Sequence, residues 1–159
     1  MTADEVAERA SKLAGRYEEH WRDDQKIRHF SQQLRPVPDA TVFDGLFRYF
    51  RQSGYGDPGM LRQEVAGSLL FFRAPEPTIP LDQILIECME TYNLSIEQLP
   101  WYLSRHFGRD RFRVEVDTLL SSTSLSERST KSLETLLYWI RVPEEQIREV
   151  LVRVAPTEE

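Results

Sequence analysis

The stretch that decides the fold is Thr78–Arg113, TIPLDQILIECMETYNLSIEQLPWYLSRHFGRDRFR, which joins the densest apolar run of the chain to its only compact basic cluster. Leu81, Ile84, Leu85, Cys88 and Tyr92 follow the i, i+3, i+4, i+7 spacing of one helical face. Ile86 and Met89 put apolar atoms on a second face. A helix that is apolar on two sides has to be covered on two sides, which places this one near the middle of the fold. Pro80 suits its first turn, where a missing N–H costs nothing, and Asn93 suits its stop. Ser95 reads as the N-cap of a second helix running to about Phe107, with Gly108 at its C-terminal end. Ile96, Leu99, Leu103 and Phe107 form the buried stripe of that helix. Trp101 falls opposite the stripe, one turn from Arg105. A tryptophan there either packs against a further helix or meets a partner, since Trp and Arg are enriched at binding hot spots. Pro100 lies five residues past Ser95 and requires a kink or a late helix start.

Upstream, Thr2 and Glu5 have capping-box spacing at the head of a long helix. Val6, Ala10, Leu13, Tyr17 and Trp21 hold one face, and Ile27, Phe30 and Leu34 resume it after a polar interval at 23–26. Residues 1–35 are therefore one long helix or two joined at a bend, ended by Pro36 and Pro38. Asp39 caps the next helix, whose stripe is Val42, Phe43, Leu46, Phe47 and Phe50, with Gly54 as its stop. Asp57-Pro58 opens another, faced by Leu61, Val65, Leu69 and Phe72 and widened by Leu70 and Phe71. The short SGYGD connection predicts an antiparallel hairpin, and RAPEPT marks the next break.

Downstream, FRVEV alternates like a strand, but Phe112, Val116, Leu119 and Leu120 also fit a helix. No second strand candidate exists to pair with it, so the segment from Asp110 to about Ser121 reads as helical. SSTSLS is a polar loop, and Ser124 with Glu127 repeats the capping-box spacing before a face of Leu133, Leu136, Leu137 and Ile140. Pro143 opens the last helix, with Ile147, Val150, Leu151 and Val154 inward and Glu144–Arg148 and Glu149–Arg153 as i, i+4 pairs. The expectation is one all-α domain over 1–159, with a long N-terminal helix (1–35) and a helical-hairpin core (39–155). About eight helices stack as antiparallel hairpins, in either an irregular HEAT-like α-solenoid or a compact orthogonal bundle.

At 159 residues the chain is long enough for one hydrophobic core. Its formal net charge of −6 argues against binding nucleic acid or anionic membrane over the whole surface, while leaving room for a local basic patch. A single cysteine, Cys88, rules out an intramolecular disulfide framework and fits a reducing compartment. No apolar run is long enough to span a membrane, and the N-terminus lacks the apolar core of a signal peptide, so a cytoplasmic location is expected.

Arg105, His106, Arg109, Arg111 and Arg113 place five cationic or titratable groups within nine residues of this acidic chain. At a junction of two helices they would suit a phosphate or an acidic protein surface, unless Asp110, Glu115 and Asp117 merely neutralise a solvated corner. Ser95 with Tyr102-Leu103-Ser104-Arg105-His106-Phe107 resembles the second half of an AraC-type helix-turn-helix, which implies Arg105 and its neighbours entering a DNA major groove. Residues 98–101 stand as extra positions between the turn Ser and the Tyr, and Pro100 falls where that family has a smooth helix.

Glu19, His20, Asp23, Asp24 and His29 crowd one segment, but neither paired Glu-x-x-His motifs nor HExxH, P-loop or dinucleotide fingerprints occur. No catalytic, cofactor or metal residue is assigned. The leading expectation is a non-catalytic protein-interaction module (an adaptor, a regulator or a toxin-immunity-like neutraliser) using Trp101, Arg105, His106, Arg109, Arg111 and Arg113. The off-stripe aromatics Trp101, Tyr49 and Tyr138 would also serve self-association into a homo-oligomer. The alternatives are a DNA-binding regulator acting through 95–113 and a small enzyme or metal protein centred on His20 or His106.

Overall fold

The computed structural model describes residues 1–20, 24–51, 59–122 and 124–154, without the side chains of 17–20, 24 and 152–154. Among the described residues there are nine helices and no strand. They are α1 (Ala3–His20), α2 (Asp24–Gln33), α3 (Asp39–Arg51), α4 (Gly59–Arg73), α5 (Leu81–Cys88), α6 (Gln98–Phe107), α7 (Arg109–Leu120), α8 (Glu127–Trp139) and α9 (Glu144–Val154). The all-helical reading holds, with the N-terminal pattern divided into two helices rather than one. The predicted stops and caps at Gly54, Asp57 and Pro58, the stripe positions Tyr17, Trp21 and Val154, and the Glu149–Arg153 pair lie outside what is described.

The chain opens as its capping box dictates. Thr2 N–H donates to Glu5 Oε2 at 2.6 Å, and Glu5 N–H donates to Thr2 Oγ1 at 3.2 Å. α1 then docks on α3 and α4, and α2 docks on α4, so the N-terminal pair belongs to the core. The approach of α1 to α3 is close enough to need a glycine. A Cβ on Gly45 would lie 2.7 Å from the Ala3 carbonyl oxygen and 2.8 Å from Val6 Cβ.

The hub is α4, which packs against α1, α2, α3 and α6. Its sequence permits this because Val65–Phe71 are apolar or small and all are buried. At Gly67 the neighbouring segment comes so near that an added Cβ would sit 3.1 Å from Ile96 Cγ2. Gln63, 2% exposed, is fully used: its amide donates to the carbonyls of Tyr49 and Thr91, and its Oε1 accepts from Asn93 N–H at 2.7 Å. At the other end of α4, Arg73 acts as a clasp. Its guanidinium donates to the carbonyls of Leu34 and Val37, both at 3.0 Å, and to Asp39 Oδ1 at 2.7 Å. Asp39 is the first residue of α3 rather than the predicted cap before it, and its Oδ2 accepts from Glu76 N–H, so this carboxylate fastens the RAPEPT segment.

Within the segment first quoted, burial is distributed differently from the expectation. Ile86 is 51% exposed, and α5 packs only against α3 and α7 among its substantial contacts. α5 is thus a short peripheral helix, ending at Cys88 rather than Asn93. The helix covered on two sides is α6, in which every residue from Leu99 to Ser104 is buried between α4, α7 and α8. Pro100 marks a late start: α6 begins at Gln98, placing the proline in the first turn, where its missing N–H is harmless. FRVEV is helical within α7, with Phe112 and Val116 inward. The cap of α8 is Ser126, two residues later than the predicted Ser124, and its side chain accepts from Ser129 N–H. α9 returns to touch α2, a contact between distant parts of the chain that nearest-neighbour stacking does not supply.

Candidate functional site

The basic cluster straddles the turn between α6 and α7, which Gly108 makes with φ of +92°. That positive-φ backbone lets a single residue join the two helices at little steric cost because glycine has no Cβ. In the first turn of α6, Trp101 is 5% exposed; its ring packs on Phe71 with centroids 5.7 Å apart, and its Nε1–H donates to the Trp139 carbonyl at 3.0 Å. Trp139 in turn donates to the Leu94 carbonyl at 2.9 Å. Trp101 is therefore a packing residue that holds α6 from inside, and its expected role as a surface contact is corrected. Its position opposite the apolar stripe reflects the cover that α8 gives the second face of α6.

The five basic groups have unequal fates. Arg109 donates to the Val142 carbonyl at 2.6 Å and lies 3.5 Å from Glu144 Oε2, while Arg105 Nε is 3.8 Å from Glu144 Oε1. Arg148 reaches the same carboxylate from within α9. Ser104, Arg105, Arg109 and Glu144 line a shallow depression of about 410 Å³. The neutralising carboxylate is thus Glu144, 31 residues or more from the cluster in sequence, in place of the local Asp110, Glu115 and Asp117. His106 is exposed, edge-on to Phe107 at 4.8 Å and 6.2 Å from the Tyr102 ring. Arg111 lies over the Phe107 ring at 5.4 Å, and Arg113 stands exposed on α7 with no ion pair among the described residues.

The helix-turn-helix geometry does not carry over. A recognition helix offers its N-terminal residues to base edges, whereas Leu99–Ser104 of α6 are all buried. Of the other off-stripe aromatics, Tyr49 is 7% exposed and donates its hydroxyl to the Ala7 carbonyl, while Tyr138 remains 58% exposed. Cys88 is completely buried, and that burial pushes its thiol up to about 12, which keeps it protonated and unreactive. Burial also raises the Tyr92 and Tyr102 phenols; Tyr102 donates to the Pro75 carbonyl at 2.5 Å as a strut between α6 and the segment after α4. His20 lies outside the described side chains. Among the described residues no three His, Cys, Asp or Glu side chains gather as a metal-ligand set, and no helix is long and apolar enough to cross a membrane.

A second basic surface escaped the sequence reading. Arg9, Lys12 and Arg16 of α1 and Lys26, His29 and Gln33 of α2 line the two walls of a cleft of about 410 Å³, floored by Leu13 and Phe30. Each wall has i, i+3, i+7 spacing, a signal the sequence does carry. Only the docking of both helices on α4 brings the two walls face to face.

In comparisons with protein-family models, curated proteins and solved structures, the chain matches none significantly.

Proposed function

We propose that the protein is a non-catalytic helical interaction module whose α6–α7 corner receives an acidic face of another protein. The observation that carries this reading is the division of labour among the corner's cations. Arg105 and Arg109 are tied to Glu144, and Arg109 also to the Val142 carbonyl, which fixes the turn. Arg111 and Arg113 project from α7 beside Val114, which is 63% exposed, while Phe112 and Val116 seat the same helix in the core. A display held this firmly loses little freedom on binding, and its charge speeds encounter with an acidic partner. The burial of α6 favours this reading over DNA recognition.

The test is affinity capture from a native lysate with wild type and an Arg111→Glu/Arg113→Glu variant, with circular dichroism to confirm equal folding. A protein retained by wild type, released by added salt and lost with the variant is the expected result. Retention of the same proteins by both chains would overturn the reading.

A further inference from the structure

We propose that the cleft between α1 and α2 is a binding site for a compact, multiply charged phosphate group, of the size of a diphosphate or triphosphate. The proposal is independent of the α6–α7 corner, since the two surfaces share no residue. Arg9, Lys12 and Arg16 form one cationic wall, and Lys26 with His29 the other. Four fixed positive charges around one cleft are unusual in a chain of net charge −6.

The wall is prepared before any ligand arrives. Arg9 lies 4.6 Å over the Phe30 ring and donates to Gln33 Oε1, and Gln33 Nε2 meets His29 Nε2 at 2.9 Å. This chain of contacts orients a guanidinium, whose planar fork matches phosphate oxygens. Phe30 is 5% exposed and lies under the Arg9 guanidinium. Lys12 is 2.8 Å from Glu8, an exposed pair that a stronger anion would compete for at small cost. Arg16 is exposed and makes no ion pair among the described residues.

Length selects the ligand. From Arg9 to Arg16 the helix rises about 10 Å. On the N-terminal side the surface turns acidic, with Glu5 and Glu8 bordering the adjoining depression. A long acidic peptide or a nucleic-acid strand running along α1 would meet these carboxylates, whereas a diphosphate or triphosphate stays within the cationic span. Such a group belongs equally to a free inorganic chain or to a nucleotide tail.

The experiment is calorimetric titration of the full chain with inorganic tripolyphosphate, ATP and a polyglutamate peptide. Wild type is compared with Lys12→Gln/Arg16→Gln in the cleft and Arg111→Gln/Arg113→Gln on the corner, two variants of equal charge change. The expected result is saturable binding of tripolyphosphate, weakened about tenfold or more by the cleft variant and unchanged by the corner variant. Tighter binding of ATP than of tripolyphosphate would identify a nucleotide as the source; equal binding would identify the bare phosphate chain. No binding to wild type, equal weakening by both variants, or preferential binding of polyglutamate would each overturn the proposal. Should the cleft variant lose its helical circular dichroism, Lys26→Gln on the opposite wall gives the same readout.

Discussion

The two basic regions of this protein arise in opposite ways. At the α6–α7 corner the charges fall within nine residues of sequence, yet Glu144 from α9 engages two of the five groups. At the α1–α2 cleft the charges are spread over positions 9 to 29, yet tertiary packing gathers them around one depression. Density of charge along the chain therefore does not measure density of charge on the surface. What matters is which helix faces meet, and that is decided by the apolar faces opposite.

The comparison breaks most completely if its supports are removed one at a time. Trp101→Ala empties a buried aromatic site in the helix that leads into the corner and leaves the Trp139 carbonyl without its donor, for a loss of about 3–5 kcal/mol. Thermal denaturation should show a fall of roughly 6–20 °C for a domain of this size. A shift of a degree or two would mean that α6 is not supported from inside.

The cleft has its own support in Gly45. In Gly45→Ala the new methyl meets the Ala3 carbonyl and Val6, so α1 must shift on α3, at about 1–3 kcal/mol less the roughly 1 kcal/mol gained in helix propensity. Urea denaturation gives the stability change. Hydrogen exchange should speed up in α1 while the amides of α6 and α7 keep their protection, and loosening spread evenly over both regions would remove the distinction.

Acid should act through the Arg73 clasp, which ties the end of α4 to the segment after α2. Asp39 has its carboxyl pKa lowered, first by the Glu76 N–H it accepts from and also by Arg73. A depressed folded pKa contributes stability above the unfolded value, which is lost as pH falls through the folded one. The group is 44% exposed, so screening limits the contribution to about 1 kcal/mol or less. Asp39→Asn should flatten the decline in stability below about pH 4, as read by denaturation at stepped pH. An unchanged slope would show that the clasp is electrostatically neutral.

The smallest effect sharpens the corner. Glu144→Gln releases Arg105 and Arg109 from a half-exposed carboxylate, changing stability by about 0.5 kcal/mol or less. Since the Glu144 ties fix the turn that presents Arg111 and Arg113, the corner partner found by affinity capture should then bind more weakly. Unchanged or tighter binding would mean that Glu144 merely neutralises the arginines.

The sequence by itself determined the class of the fold and most of its elements. Helical spacing of apolar residues is a local property, so Val42–Phe50, Leu133–Ile140 and the Thr2–Glu5 box could be read without knowing their neighbours. Spacing shows that a face is apolar, but not how many helices cover it or which ones. For that reason α5 seemed central with Ile86 inward, whereas the covered helix is α6, where Trp101 and Tyr102 find carbonyl partners on distant segments. The same limit applies to charge. Only the tertiary structure decided that Glu144 answers Arg105 and Arg109, and that Arg9, Lys12 and Arg16 look across at Lys26 and His29, because ion pairs and clefts are made by residues that share space rather than sequence.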